Sequence, residues 1–523
     1  MSMTRLFPRL LLASILVLAL GLAMFARPPS YFLLMDWRVP EADRAVNLEF
    51  VFYQRPTLDD CDALAGRLSR ITLARCPQCT LTRLECTTKI QPGASHLLGT
   101  APFELPTGRM ASGVVAYRAD RPADGTAMCQ AAHDATAQSA NPVVCQPADQ
   151  PRPLLAPALV ADLPAFAIAG LAILGALLAG WLILRYEYLH AHLSHDHSDA
   201  GPQKVHAQPT PRIGGIALAA GLLLAGGALL IRPLGSMQHE YALLLLTAAP
   251  AFVGGLIEDL TKRVGVIERL LLTMISGAAA AWLLGGILNR LDVPVFDQLL
   301  VYLPFAVVFT AFAVGGISNA INIIDGVNGL AGGFAILALV CLAFVANQVG
   351  DALVFYGAAI LAGSLIGFLF WNWPSGRLFL GDGGAYLAGF MLSELAVLLV
   401  VRNSAVSPWF PMVLLVYPVF ETFFSIYRRK LKRGRSPGHA DGLHLHQLIY
   451  RRLVRAATPL RRNSRVAPYL WIANVFPMLM AVVFWNRTGV LLLCALAFCL
   501  FYVINYWAIV HFRVPDILKT RLS

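Results

Sequence analysis

The sequence predicts an all-α polytopic membrane protein: about eleven core helices, one N-terminal anchor helix, and a small exported α+β domain inserted between helices 1 and 2. Composition is the first reason. Of 523 residues, 57% are hydrophobic and only 14% charged, with a mean hydropathy of +0.63. That much apolar surface has no aqueous home. The second reason is recurrence, because apolar stretches of spanning length return about twelve times along the chain. The third is the alternation of basic loops with poorly charged ones.

The run 10–26 follows Arg5 and Arg9, which place the N-terminus on the cytoplasmic side. Met24 occupies the third position before a cut after Ala26, where a small residue is needed for cleavage, so 1–26 reads as an uncleaved anchor. Residues 27–156 are polar and carry Cys61, Cys76, Cys79, Cys86, Cys129 and Cys145, six of the nine cysteines. Even in number and on the oxidising side, they predict up to three disulfides, in any of about fifteen connectivities. The alternation over Val46 to Tyr53, the helical run Asp59 to Ile71, and the β-prone runs Thr80 to Thr87 and Gly113 to Tyr117 predict a compact α+β unit. Cys76-Pro-Gln-Cys79 has redox-motif spacing, but in such a domain its cysteines read as halves of two structural bridges.

The core, 157–511, holds predicted spans at 157–184, 213–232, 241–258, 268–288, 299–318, 330–347, 352–373, 384–402, 408–427, 468–486 and 489–511, followed by a cytoplasmic tail 512–523. Alternation from the N-terminus makes 185–212, 259–269, 319–329, 374–383, 428–467 and the tail cytoplasmic. These segments carry Lys204, Arg212, Lys262, Arg263, Arg269, Arg377 and twelve Lys or Arg between Arg428 and Arg465. The opposite short loops carry isolated arginines such as Arg232, Arg290, Arg402 and Arg487. The formal charge of +11 is therefore a topology signal with an affinity for anionic lipid, and nothing in it requires nucleic acid. Phe368, Phe370, Trp371 and Trp373 read as lipid-facing or interfacial packing.

Five polar groupings converge on the cytoplasmic face. They are Pro209-Thr-Pro-Arg212-Ile-Gly-Gly215 after Lys204 and His206; Glu258-Asp259 before Lys262, Arg263 and Arg269; the run Asn319-Ala-Ile-Asn322-Ile-Ile-Asp325-Gly-Val-Asn328-Gly329; Phe379-Leu-Gly-Asp382-Gly-Gly384; and Asp441-Gly-Leu-His444-Leu-His446-Gln447. One acid beside lipid is explained by a solvated turn or a helix-end charge. Several from distant parts of the chain on one leaflet point to one site, since an intramembrane carboxylate needs a cation, ligand or water to compensate it. Carboxylate and amide oxygens suit Mg²⁺ or Mn²⁺, and Mg²⁺ takes one or two protein carboxylates plus substrate phosphates.

These groupings, in this order, resemble those of the polyprenyl-phosphate N-acetylhexosamine-1-phosphate transferases. The resemblance covers roughly 157–511 and leaves the anchor and the cysteine-rich domain outside it. It implies that the phosphate of undecaprenyl phosphate attacks the β-phosphorus of a UDP-N-acetyl sugar, releasing UMP and starting a cell-surface polysaccharide such as O-antigen. It implies Mg²⁺, or Mn²⁺, held by Asp382 and Asn322. The paired acids Glu258 and Asp259 fall near the attacking lipid phosphate, Asp325 near the nucleotide, and His444 and His446 on the pyrophosphate. Catalysis is then expected of Asp259, Glu258 and Asp325, and substrate binding of Asn319, Asn328, Lys262, Arg269, Arg212, His444 and His446. A bacterial inner-membrane enzyme with a cytoplasmic active site and a periplasmic 27–156 follows, and a homodimer is the oligomer expected.

Three departures bear on the assignment. The acid pair, usually Asp-Asp, begins with Glu258, whose extra methylene moves the carboxylate by about one bond length, so Asp259 ranks first as the essential member. The Asp-Gly-x-Asp-Gly pattern ends in Asn328, and the His-x-His-His pattern in Gln447. Together they favour the UDP-hexosamine branch over the muramoyl-pentapeptide branch. The stretch His190-Ala-His192-Leu-Ser-His195-Asp-His197 is dense in metal-ligand types but lacks cysteines and a second ligand cluster, so it reads as a juxtamembrane segment. The competing class is a transporter or flippase for a lipid-linked or anionic substrate, which needs polar groups at mid-bilayer and on the far side.

Overall fold

The computed structural model describes residues 31–41, 44–55, 61–62, 65–66, 69–70, 78, 80–87, 100–104, 110–119, 162–196, 209–231, 237–433, 442–454 and 458–511. The anchor 1–26, Cys76, Cys79, Cys129, Cys145, His197, Lys204, His206, Asp441 and the tail 512–523 lie outside the described residues. The chain divides into two compact units, Phe25–Ala156 and the remainder.

In the first unit, strands β1 (Tyr31–Glu41), β2 (Arg44–Arg55), β3 (Thr80–Thr87), β4 (Thr100–Glu104) and β5 (Met110–Ala119) form one antiparallel sheet in the order β3-β1-β2-β5-β4. Leu33 and Met35, two apart on β1 and so on one face, are both buried. Cys61, on a helical stretch, is disulfide-bonded to Cys86 of β3.

The second unit is helical, apart from a two-stranded ribbon. It runs through α1 (Asp162–Arg185), α2 (Glu187–Ser194), strands β6 (His195–Asp196) and β7 (Thr210–Pro211), α3 (Gly214–Ile231), α4 (Met237–Thr261), α5 (Val266–Leu283), α6 (Pro294–Leu300), α7 (Leu303–Ile324), α8 (Leu330–Val349), α9 (Ala352–Asn372), α10 (Gly381–Arg402), α11 (Trp409–Leu414) and α12 (Val416–Arg433). It closes with α13 (Leu445–Leu448), a π turn (Ile449–Leu453), α14 (Pro459–Ser464), α15 (Val466–Val483) and α16 (Thr488–Val510). Among the described residues, nine helices are long and apolar enough to cross a membrane. The unit is thus an all-α polytopic membrane protein.

Burial sorts these helices. α8, α9 and α10 are buried on nearly all sides, as expected of helices apolar all round at the centre of a bundle. α10 packs against α4, α7 and α3, and α9 against α1 and α8. On the outer helices Trp282, Ile267, Phe476, Leu493 and Leu496 stand exposed, which places apolar side chains where lipid would be. Of the aromatics expected at the lipid face only Phe370 is exposed. Phe368 is core, while the Trp371 and Trp373 indoles donate to Leu177 O at 3.2 Å and Ser464 O at 2.8 Å, tying helices together.

Two predicted spans differ from the structure. The stretch 408–427 is broken at Leu415 into α11 and α12, because Pro418 has no N–H to give the Leu414 carbonyl. The stretch 213–232 becomes α3, whose apolar part, Gly214–Leu229, is shorter than the other spans.

A candidate active site at the start of the central helix

Extended chain before α3 pairs with the chain that leads into α10. Phe379 N donates to Pro211 O at 2.9 Å, and Gly214 N and Gly215 N donate to Phe379 O and Leu380 O, both at 2.9 Å. Gly381 then turns the chain with φ +74°, and a Cβ there would run into the Arg212 carbonyl and the Asp259 carboxylate. Only glycine accepts both the angle and the approach.

Asp259, near the end of α4, is 1% exposed. Its Oδ1 accepts from Asp382 N and its Oδ2 from Gly383 N, both at 2.9 Å. Those are first-turn N–H groups of α10, which lack partners in the helix and attract negative charge. The acid ranked first for catalysis from sequence therefore spends both oxygens on orienting α10. Glu258, one residue earlier, lies half-buried, accepts from Val264 N at 2.7 Å and lines the cavity described below. Lys262, exposed and at φ +56°, donates to Asp259 O at 2.7 Å and does not line that cavity.

Asp382 is the focus of the site. Arg212 Nη2 reaches its Oδ1 at 3.3 Å and lies 3.7 Å from Asp259 Oδ1. Asn322 Nδ2 donates to the same Oδ1 at 3.1 Å, and Arg269 Nη1 pairs with Oδ2. Four separated segments, β7–α3, the start of α5, the end of α7 and the start of α10, thus meet on one carboxylate.

The end of α7 supplies the remaining groups. Asn319 Nδ2 donates to Thr273 Oγ1 at 3.1 Å and Gly315 O at 2.8 Å. Burial pushes the Asp325 carboxyl up to about 7; Arg212 opposes the rise, and Asp382 and Asp259 add to it. Asn328 is buried and receives the Asn463 side chain, whose Oδ1 accepts from Asn328 N at 2.7 Å.

The histidine motif is fixed from below by a residue that sequence reasoning passed over. Glu421, buried on α12, accepts from His444 Nδ1 at 2.9 Å, Leu445 N at 3.2 Å and Tyr502 Oη at 2.7 Å. The His444 and His446 rings stack in parallel with centroids 5.5 Å apart, and the His446 ring fills the space that a Cβ at Gly326 would need. Several arginines of the basic cluster hold the same loop by its carbonyls: Arg428 to Leu443 O at 2.9 Å, Arg451 to Gly442 O at 3.0 Å, and Arg462 to Tyr450 O at 2.7 Å and Arg451 O at 2.8 Å. Another, Arg429, lines the cavity.

These groups surround a cavity of about 1130 Å³. Arg212, Glu258, Arg269, Asn319, Asn322, Asp325, Asn328, Asp382, His444 and His446 all line it, ten of the twelve site residues expected from sequence, while buried Asp259 and exposed Lys262 do not. Tyr386, one turn along α10 from Asp382, joins them. Much of the remaining lining is apolar, with Ile267 and Leu270 of α5, Phe309 and Phe312 of α7, and Val419 and Phe423 of α12, while Thr422, Ser425 and Arg429 add polar groups from α12. The cavity thus combines charged groups with apolar side chains.

Two further groups bear on the sequence reading. His190 is held by Ser194 Oγ at 2.7 Å and Ile183 O at 3.0 Å, and His195 pairs with Glu187 at 2.8 Å. Among the described residues no three His, Cys, Asp or Glu side chains gather to hold a metal, and the contacts of His190 and His195 tether their own segment. Glu394, midway along α10, is fully buried and was not singled out from sequence.

Residues 241–400 match the sequence profile of glycosyl transferase family 4. The chain is 31% identical over 329 residues to a decaprenyl-phosphate N-acetylglucosaminephosphotransferase of Mycobacterium leprae, a match spanning 56% of this chain and 78% of the relative. It is 29% identical over 265 residues to a probable undecaprenyl-phosphate N-acetylglucosaminyl 1-phosphate transferase of Bacillus subtilis, covering 47% of this chain and 67% of the relative. A phospho-N-acetylmuramoyl-pentapeptide-transferase of Rubrobacter xylanophilus is 35% identical over 208 residues, covering 36% and 61%.

Proposed function

The chain belongs to glycosyl transferase family 4, the membrane phosphotransferases, and from that membership we propose that it transfers N-acetylglucosamine 1-phosphate from UDP-N-acetylglucosamine to undecaprenyl phosphate. The observation that carries this reading is the mixed lining of the cavity. Charged groups, Asp382, Asp325, Glu258, Arg212 and Arg269, line it together with apolar side chains of α5, α7 and α12. Diphosphate fits the first and the start of an isoprenoid chain fits the second.

An oxygen of the lipid phosphate attacks the β-phosphorus of the nucleotide sugar, the bond from that phosphorus to the α-phosphate oxygen breaks, and UMP leaves. Arg212 and Arg269, which pair with Asp382, are placed to take phosphoryl oxygens as well. Glu258 and Asp325 are the cavity acids placed to accept a proton from a lipid phosphate that arrives as the monoanion. Asp259 keeps the start of α10 in position throughout.

The donor set fits Mg²⁺ as a site completed by substrate. One carboxylate, Asp382, and one amide, Asn322, are too few hard ligands for a protein cage but suit a cation that shares its shell with phosphates. Asn322 would turn its amide oxygen toward the ion. Bound there, Mg²⁺ would screen the two anionic reactants and stabilise charge developing at phosphorus. The excess of basic residues on the loops at this end favours a cytoplasmic site in a bacterial inner membrane, feeding a cell-surface polysaccharide such as O-antigen.

Purified protein given undecaprenyl phosphate and a panel of UDP-sugars tests the proposal. Mg²⁺-dependent UMP release with UDP-N-acetylglucosamine is the expected result. Release with no sugar nucleotide in the panel, or release of UDP in place of UMP, would overturn it.

A further inference from the structure

The helical unit contains a second acid pattern, in which a carboxylate serves a histidine. Glu421 lies on α12, six residues beyond the break at Leu415, and is 1% exposed. An ionised carboxylate so deeply buried persists only where donors converge on it. Three do: the Leu445 N–H, the Tyr502 hydroxyl and His444 Nδ1. A carboxylate is an acceptor, so His444 carries a proton on Nδ1, and its other nitrogen, Nε2, lies on the side of the ring away from Glu421.

His444 lines the cavity, and its ring is held in plane by more than that one bond. His446 stacks on it with an interplanar angle of 3°, and His446 in turn sits against Gly326, next to Asp325. Gln447 Oε1 accepts from His444 N at 3.2 Å, and Arg428 and Tyr506 both donate to the carbonyl of Leu443, the preceding residue. The ring, its backbone and its neighbours are all fixed, and a carboxylate stands behind it.

We propose that Glu421 is a positioning residue for phosphoryl transfer, fixing the orientation and Nδ1–H form of His444 so that Nε2 is presented to the diphosphate of the sugar nucleotide. This rests on the transferase reading above. With a carboxylate at Nδ1, a ring that carries a proton on Nε2 as well forms a net-neutral pair with Glu421 and offers that N–H as a hydrogen bond to a phosphoryl oxygen. The interaction strengthens as negative charge builds on the departing phosphate, so it belongs to kcat more than to substrate affinity.

A double-mutant cycle read by UMP release, together with ¹⁵N-histidine NMR, tests this. Glu421→Gln should lower kcat on the order of tenfold or more, the usual scale for losing a partner behind a functional histidine, with KM for the nucleotide sugar little changed. In a His444→Gln background the same substitution should do nothing further to kcat. Tyr502→Phe removes another donor from the same carboxylate and serves as the packing control: it should lower Tm while leaving kcat nearly unchanged. Additive losses in the cycle, or a kcat loss in Tyr502→Phe equal to that of Glu421→Gln, would overturn the proposal. The NMR arm is independent of turnover. The His444 signal, identified by its loss in His444→Gln, should show an Nδ1 proton far downfield that moves upfield in Glu421→Gln. Its absence from the wild-type protein sinks the Glu421–His444 pairing, whereas a protein that shows the signal yet releases no UMP sinks the transferase reading alone.

Discussion

The central helix α10 carries charge at both ends, and the two ends are built for different purposes. At the Arg402 end, Arg402 Nη1 bonds Glu240 Oε2 at 2.6 Å and its Nε lies 3.3 Å from Asp351 Oδ2. Asn403 Nδ2 donates to that same oxygen at 3.0 Å, and Asp351 Oδ1 accepts from Val354 N at 3.2 Å to cap α9. The polar atoms are turned on one another, and the result is a clamp between α4, α9 and α10. At the Asp382 end, glycines let the chains come so close that Asp259 caps α10 directly, while Asp382, Glu258 and Asp325 face a cavity. Charge at a helix end is therefore not itself a site. What distinguishes the site is bonding capacity directed at space that a ligand can fill.

The largest effect that sharpens this contrast is expected at Asp382. Asp382→Asn keeps the shape of the side chain and removes the anion that Arg212, Arg269 and Asn322 converge on. Transfer should fall by at least about a thousandfold, equivalent to roughly 4 kcal/mol of transition-state stabilisation, with Tm little changed. Wild-type UMP release by the variant at matched expression would remove Asp382 from the metal site and erase the functional difference between the two ends.

The acid pair comes next. Asp259→Asn weakens the cap of α10, because an amide offers one acceptor where the carboxylate serves two N–H groups. It should lower stability by about 1–2 kcal/mol as well as activity. Glu258→Gln, at a side chain that is only half-buried, should reduce kcat with little change in Tm. Measuring Tm beside kcat separates the two. Equal Tm losses would mean that the pair works as one structural unit.

Asp382, Asp325 and Asn322 were legible in the sequence because each is an acid or amide set beside apolar runs, where polarity needs a purpose. The same rule applies to Glu421, which follows Val416-Tyr-Pro-Val-Phe and precedes Thr-Phe-Phe, and it could have been found that way. It was masked by lying in a single long span on paper, when Pro418 in fact breaks that span and leaves Glu421 below the histidine loop. The roles of Glu258 and Asp259 were not legible, since neighbours on a helix point about 100° apart and only the packing of α10 decides which faces the cavity. Nor were the contacts of the basic cluster: the positive-inside tendency accounts for arginines there whether they meet phosphate, lipid or, as with Arg451 and Arg462, the carbonyls of their own loop.

The smallest effect on chemistry is expected at the clamp. Asp351 is 7% exposed, caps α9, and receives Arg402 and Asn403 on its second oxygen. Asp351→Ala deletes the cap, worth about 1 kcal/mol, and leaves Arg402 with Glu240 as its remaining acidic partner in the clamp, so a loss of about 1–3 kcal/mol of stability is expected. Asp382 lies near the other end of α10, about 30 Å from Arg402 at 1.5 Å per residue, and no group lining the cavity touches Asp351 through the bonds described. Activity per folded molecule should therefore match wild type at a temperature well below both unfolding transitions. If kcat instead falls while the folded fraction is unchanged, α10 passes strain from one end to the other, and clamp and site form one mechanical element.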